Sequence, residues 1–301
     1  MQLTILGCYS AAPRVNTNPT SQVLEINNHT FLIDCGEGTQ VQLRKHKIKF
    51  NRIKHIFISH LHGDHFFGLV GLISTFRLHT READLHIYAP KGLKEVITLQ
   101  MKLAESWTNF KLIFHELKSK ESELIFEDDK VEVYTIPLVH RIYTNGFLFK
   151  QKEGERKLNV TQAEEANIDV AYYRKLKQGH DVTNEDGVLI KNETVTAYGH
   201  KPKSYAFCSD TVYSESIIPI IQDTDVLYHE STFLEKHKKL AEPTKHSTAR
   251  QAATIAKKAH VGKLILGHYS TRYDSLQDFK NEAEGVFESV ELAEDGKTFE
   301  F

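Results

Sequence analysis

The sequence is poor in cysteine: Cys8, Cys35 and Cys208 are the whole complement, far apart and without a CxxC pair. An odd, scattered set builds neither a disulfide framework nor a thiolate zinc site, so the three read as reduced, buried small hydrophobes. An excess of charge of one sign is also lacking. Lys and Arg (38) nearly balance Asp and Glu (40), for a net charge of −2 and an isoelectric point near 6.8. That balance excludes a uniformly basic nucleic-acid binder, so any polyanion site has to be a local patch. No apolar run approaches the roughly 20 residues needed to span a bilayer. The amino terminus, Met1 to Ser10, enters a strand pattern without a basic and then apolar signal segment, which predicts a cytoplasmic protein. With 40% hydrophobic residues in 301, the chain can bury a sizeable core. No shift in composition forces a split, and 1–301 is read as one domain.

What the chain concentrates is metal-ligand chemistry. His60-Leu61-His62-Gly63-Asp64-His65 packs three imidazoles and a carboxylate into six residues. Neutral imidazole nitrogen and carboxylate oxygen are the usual ligands of a borderline metal such as zinc. The stretch follows the apolar run Ile56-Phe57-Ile58, a buried strand by pattern. After it, Phe66, Leu69, Val70, Ile73 and Phe76 recur on one face of a helix predicted over 65–79, where Gly68 and Gly71 allow close packing. The motif therefore occupies a strand-to-helix turn. Its spacing lets His60 and His62 converge on one ion while Asp64 and His65 reach a second.

Elsewhere, strand-like runs cover Leu3 to Leu6 and Thr30 to Ile33, joined by a polar loop that contains Gly7, Pro13, Thr17, Pro19 and Ser21. Asp34 ends the second run, and two roles are open to it: a cap for the helix starting near Thr39, or an acceptor that orients a metal-bound histidine. A strand at Leu85 to Tyr88 precedes a helix through Leu93 to Leu103. Later runs at Val131 to Leu138, Lys203 to Cys208, Asp225 to Tyr228 and Lys263 to Leu266 lead into His140, Asp210, His229-Glu230-Ser231-Thr232 and His268. Ala249 to Ala259 forms an amphipathic helix with Gly262 as its cap. Strands alternating with helices predict a layered α/β fold with its chemistry at the strand ends. Singly, His140, Asp210 and His268 suit a satisfied histidine or a turn-capping Asp. Jointly they complete a ligand set, with His60, His62 and His140 on one ion, Asp64, His65 and His268 on the other, and Asp210 as a bridge. Two ions roughly 3.5–4 Å apart suit in-line displacement at phosphorus.

This pattern resembles the metallo-β-lactamase superfamily, whose fold is an αββα sandwich of two mixed sheets. More narrowly, His229-Glu230-Ser231-Thr232, His246-Ser247-Thr248 and Gly267-His268-Tyr269-Ser270-Thr271-Arg272-Tyr273 look like the ribonuclease Z family of tRNA 3′-processing endonucleases. The resemblance covers nearly the whole chain. It implies two zinc ions per subunit, with manganese or iron suited to the same ligands, and a homodimer acting on precursor tRNA. It also implies that Asp64 is both ligand and general base. His246 would protonate the leaving 3′ oxygen, held oriented and charged by Glu230. Asp34 becomes the acceptor behind a metal ligand. Arg272 is either a phosphate contact or an ordinary surface arginine.

Residues 150–182 are polar, charged and weakly periodic, the composition of a surface excursion. The family carries here an arm that grips tRNA away from the cut. Tyr172, Tyr173, Arg174, Lys175 and Lys177 combine cations with aromatic rings for phosphate contact and stacking, while a solvated charged helix is the plainer reading. Bacterial members typically have a Gly-Pro pair just before this segment; here Ile168-Asp169-Val170-Ala171 stands in its place. His29, His46, His55, His79, His86, His115, His180, His200, His229, His237 and His260 are expected to be bland. Two rival functions remain: another dinuclear hydrolase on the same fold, such as a small-molecule phosphodiesterase or thioesterase, and a non-catalytic RNA-binding protein with a structural metal.

Overall fold

The computed structural model describes residues 1–12, 14–199 and 201–301, so Pro13 and His200 lie outside the described residues. The chain forms two compact units, one of residues 1–127, 131–150 and 203–301, the other of 128–130 and 151–202. The first unit opens with β1 (Gln2–Gly7), β2 (Ser21–Ile26), β3 (His29–Ile33), α1 (Thr39–Lys45) and β4 (Ile53–Phe57). It continues through α2 (Gly63–Phe66), α3 (Leu69–Leu78), β5 (Leu85–Pro90), α4 (Leu93–Leu103), β6 (Leu112–Leu117), β7 (Leu124–Glu127), β8 (Val131–Leu138) and β9 (Thr144–Gln151). The second unit holds β10 (Lys157–Leu158), α5 (Val160–Glu165), α6 (Tyr173–Lys177), β11 (Val182–Thr183), β12 (Leu189–Ile190), α7 (Asn192–Val195) and β13 (Thr196–Ala197). The first unit resumes with β14 (Ser204–Cys208), α8 (Ile218–Ile221), β15 (Val226–Glu230), α9 (Lys238–Thr244) and α10 (Ala249–Lys258). It closes with β16 (Lys263–Gly267), α11 (Gln277–Glu284), β17 (Val290–Leu292) and β18 (Thr298–Glu300).

Two seven-stranded sheets result, ordered β18-β1-β2-β3-β4-β5-β6 and β17-β16-β15-β14-β9-β8-β7. Each is mixed: β3 to β6 run parallel beside an antiparallel β1-β2-β3 meander, and β14 to β17 run parallel beside the antiparallel strand β9. The sheets meet through aromatic side chains. Phe31 and Phe57 of the first lie 5.5 and 5.3 Å, ring to ring, from Phe149 of the second. Burying each such ring stabilises the fold by about 1.5–3 kcal/mol. On the outer face of the first sheet, Leu43, Leu72, Ile73, Phe76 and Ile97 from α1, α3 and α4 cover Leu32, Ile56 and Ile87. α10 packs on β15 and β16 of the second. This is the αββα sandwich that the resemblance implied.

Three local expectations are corrected. The helix predicted over 65–79 is two helices: α2 stops at Phe66 and α3 starts at Leu69. A Cβ on Gly68 would lie 2.0 Å from the carbonyl oxygen of Gly36, so only glycine lets the hexapeptide seat against the loop after β3. The predicted polar loop before Thr30 contains β2, joined to β3 by Asn27 and Asn28, which both adopt positive φ (46° and 69°) in a tight hairpin. Gly262 does not cap α10. Ala259 is the cap and His260 takes the positive φ (51°), while Gly262 is needed because a Cβ there would meet the Asp225 carbonyl at 2.7 Å.

The second unit has its own small core of Ala163, Ile168, Leu176, Val182 and Val195. Its limits run past the stretch picked from composition because Asp181 accepts from the Asn192 backbone (2.8 Å) and Asn192 Nδ2 donates to the Leu176 carbonyl. Among the described residues no helix is long and apolar enough to cross a membrane.

Candidate metal centre

Parallel strands deliver the site residues at their carboxyl ends. Asp34 follows β3, Ser59 and His60 follow β4, Asp210 follows β14, Glu230 ends β15 and His268 follows β16. Asp34, Asp210 and His268 hold φ of 55°, 58° and 58°, a left-handed conformation that costs energy in non-glycine residues and turns each side chain across the strand ends.

Two groups of ligand atoms converge. His60 Nε2 and His140 Nε2 lie 2.9 and 3.2 Å from His62 Nδ1, and 3.5 and 3.6 Å from Asp210 Oδ2. On the other side, His65 Nε2 and His268 Nε2 lie 3.2 and 3.1 Å from Asp210 Oδ1, and 3.4 and 3.5 Å from Asp64 Oδ2. Asp210 thus turns one oxygen to each group. Both sets are compact enough to hold a metal ion. Two further observations fit that use. The buried Nε2 atoms of His65 and His268 lack hydrogen-bond partners among the described residues, an expensive state unless something fills it. Charge balance asks for a cation as well. Burial lowers the pKa of His60, His62 and His140, keeping them neutral with free lone pairs, while three carboxylates crowd the centre. Burial opposes charge on His65, yet Asp210, Asp64 and Asp34 together raise its pKa well above the ordinary value.

The outward nitrogens are fixed by partners. His65 Nδ1 donates to Asp34 Oδ2 at 2.7 Å, His140 Nδ1 to the Lys245 carbonyl at 2.9 Å, and His268 Nδ1 to Thr232 Oγ1 at 2.9 Å. Asp34 is itself held by the Ser59 backbone N–H (2.8 Å) and hydroxyl (2.9 Å). Such carboxylate and carbonyl acceptors set the tautomer that leaves the other nitrogen free for a metal.

Beside these groups, Glu230 is fully buried and its Oε1 lies 2.8 Å from His246 Nδ1. The Thr211 and Thr232 backbone N–H groups and the Thr232 hydroxyl donate to the same carboxylate at 2.9, 3.0 and 2.7 Å. Burial works against a charged His246, but the Glu230 carboxylate outweighs it and lifts the imidazole pKa to about 9. His246, Asp64, Asp210, His62 and His268 line one cavity of about 400 Å³. Its walls include Ser10, Ala11, Ala12, Phe233 and Ser270.

The structure therefore brings together all seven predicted ligands, Asp34, Glu230 and His246. Arg272 stands at one remove, its guanidinium 5.3 Å from the Phe233 ring centre and its Nε donating to Ser270 Oγ at 3.2 Å. In the second unit, Arg174, Lys175, Lys177 and Tyr172 are exposed, whereas Tyr173 leans on the unit's small core. Asp169 caps this segment by accepting from the Ala171 N–H at 2.7 Å. His229 is buried, with its Nδ1 turned to the Glu230 carbonyl at 2.7 Å. Sequence reasoning missed Ser59 and the double role of Thr232, since hydroxyls have no spacing signature; adjacency to His60 and Glu230 was the available signal.

Known proteins place this arrangement. A ribonuclease Z from Cytophaga hutchinsonii is 46% identical over 301 residues, 99% of this chain and 95% of its own length. One from Porphyromonas gingivalis is 44% identical over 283 residues, 94% of this chain and 93% of its own. The chain belongs to the ribonuclease Z family. The crystal structure of the short form of human tRNase Z superposes with a TM-score of 0.73 at 27% identity, covering 100% of this chain and 99% of that one. The fold, though no more, is shared with the metallo-β-lactamase fold protein YhfI from Bacillus subtilis, with a TM-score of 0.69 at 17% identity over 99% of this chain and 98% of that one. A family model described as anti-Pycsar protein Apyc1 also matches residues 1–156, a span that holds the hexapeptide and His140 but stops short of Asp210, Glu230, His246 and His268. Metal ions are what the ribonuclease Z fold implies, and the two ligand groups suit them.

Proposed function

We propose that the chain is a zinc-dependent endoribonuclease that removes the 3′ trailer of precursor tRNA, leaving a 3′-hydroxyl on the tRNA and a 5′-phosphate on the trailer. The observation that carries the reading is the buried Glu230–His246 pair beside two ligand groups that share Asp210. Relatives named ribonuclease Z over nearly the full length support the substrate.

One ion would be held by His60, His62 and His140, the other by Asp64, His65 and His268, with Asp210 between them. Bound there, they would act as Lewis acids at the phosphate and lower the pKa of a water. Zinc suits this donor set, and manganese or iron(II) can occupy it. Asp64 takes the proton of the attacking water, oxygen bonds to phosphorus, and the bond from phosphorus to the 3′ oxygen breaks. His246 delivers its proton to that leaving oxygen, which would otherwise depart as an alkoxide. Glu230 keeps the imidazole charged until then. Arg272 contributes positive charge near the phosphate path. Tyr172, Tyr173, Arg174, Lys175 and Lys177 grip the tRNA by ion pairing and stacking. The homodimer rests on the family resemblance, and a cytoplasmic location goes with the substrate.

The second reading is another dinuclear hydrolase on the same fold, such as a small-molecule phosphodiesterase, since the two ligand groups that share Asp210 suit any phosphodiester. Purified protein incubated with a trailer-bearing tRNA, with and without chelator and beside Asp64→Ala, separates the two. A metal-dependent cut at the discriminator that Asp64→Ala loses is the expected result. Intact tRNA alongside hydrolysis of bis(p-nitrophenyl) phosphate would overturn the tRNA assignment.

A further inference from the structure

A phosphodiester entering the cavity meets the carboxylates of Asp64 and Asp210 and the imidazoles of His62, His246 and His268. Among the described residues that line the cavity, Arg141 is the one Lys or Arg. It directly follows His140, whose ring is held through the Lys245 carbonyl on one nitrogen and lies beside His62 and Asp210 with the other. Its guanidinium has no hydrogen-bond or ion-pair partner among the described residues, unlike Lys203, Lys258 or Lys297, each within 3.1 Å of a carboxylate. It stands close enough to both His62 and His246 for its charge to act on each. An uncommitted guanidinium between a ligand group and a proton donor has the shape and charge to take two oxygens of a phosphate. Arg272, by contrast, is engaged with Phe233 and Ser270 and is not among the lining residues.

We propose that Arg141 is the phosphate-binding residue of this cavity, holding the non-bridging oxygens of the scissile phosphodiester while His246 protonates the leaving oxygen. The assignment rests on the hydrolase reading but not on the identity of the RNA, since any phosphodiester presents the same oxygens. It follows that Arg141 should act on every substrate of the site, however small.

Arg141→Gln and Arg141→Lys, compared with wild type on trailer-bearing tRNA and on bis(p-nitrophenyl) phosphate, test it, with metal content and inhibition by inorganic phosphate measured on each. Arg141→Gln should lower kcat/KM about 10–100-fold on both substrates, the usual effect of losing a charge-assisted contact to reacting oxygens. Metal content should stay at the wild-type value and phosphate should inhibit less, with Arg141→Lys between the two. A loss confined to tRNA would overturn the proposal, because the contact would then lie away from the scissile phosphate. Unchanged turnover, or a loss matched by lost metal, would overturn it as well. If wild type leaves tRNA intact but Arg141→Gln loses diester hydrolysis and phosphate inhibition, the phosphate site stands and the tRNA assignment falls.

Discussion

His246 Nδ1 and Glu230 Oε1 lie 2.8 Å apart, with the carboxylate sealed from solvent and held by three further donors from Thr211 and Thr232. Burial alone would strip the imidazole of its proton, and the carboxylate reverses that, raising the pKa to about 9. The charged form therefore persists through neutral pH and is lost as pH rises through about 9.

The kcat–pH profile should accordingly hold its plateau to about pH 9 and fall above it. Glu230→Gln keeps the shape but removes the charge. Burial and the Arg141 charge then face only the weaker pull of Asp210, and the basic limb should move down toward the ordinary histidine value of about 6.5. Cleavage at pH 8 should drop at least about tenfold and recover in part on acidification. A basic limb that stays in place in Glu230→Gln would show that His246 is not the group being titrated.

A second dependence runs through Asp34 and His65. The Asp34 carboxylate receives the His65 Nδ1 proton at 2.7 Å and is steadied by Ser59, so it fixes which nitrogen faces Asp64 and Asp210. Asp34→Asn preserves volume but loses the anionic acceptor. Metal affinity, measured by competition with a chromophoric chelator, should weaken about 10–100-fold, the usual consequence of removing such a partner. The same variant should lose activity at limiting metal and regain much of it in excess. Unaltered competition curves would make Asp34 a fold residue alone, though not a helix cap, since Gly38 caps α1 with no side-chain hydrogen bond and the Asp34 carboxylate is spent on Ser59 and His65.

The legible parts of the site share a physical reason. Ligand chemistry requires particular side chains at particular spacings, so His60 to His65 announced itself, and His140, Asp210 and His268 were found because each ends an apolar strand. Hydroxyl and backbone partners carry no such signature: Thr232 accepts from His268 and donates to Glu230 through one oxygen, which only the folded geometry reveals. β2 was hidden for a related cause. Its Ser21 and Gln22 read as loop residues, yet both are buried because Ser21 donates to the Asp34 carbonyl and Gln22 accepts from the Tyr205 hydroxyl. The helix break at Gly68 was equally out of reach, since hydrophobic periodicity runs on through it while the steric conflict with Gly36 is a contact between segments distant in sequence.

The second unit offers the cleanest separation of binding from chemistry. In α6, Leu176 is buried and anchors the segment, so Arg174, Lys175 and Lys177 can be neutralised without emptying its core. Lys175 also lies 5.5 Å from the Tyr172 ring centre, an arrangement that keeps one cation beside a stacking surface. Replacing the three by Gln should raise KM for precursor tRNA and leave kcat and bis(p-nitrophenyl) phosphate hydrolysis near wild type. Each lost phosphate contact should also make the plot of log K against log salt shallower by about 0.7–0.9. An unchanged salt slope with unchanged KM would mean that these cations are solvated and that the tRNA is gripped elsewhere. A slope shallower by about 2–3, with small-diester turnover intact, would place the contact on this segment and keep it apart from the metal centre.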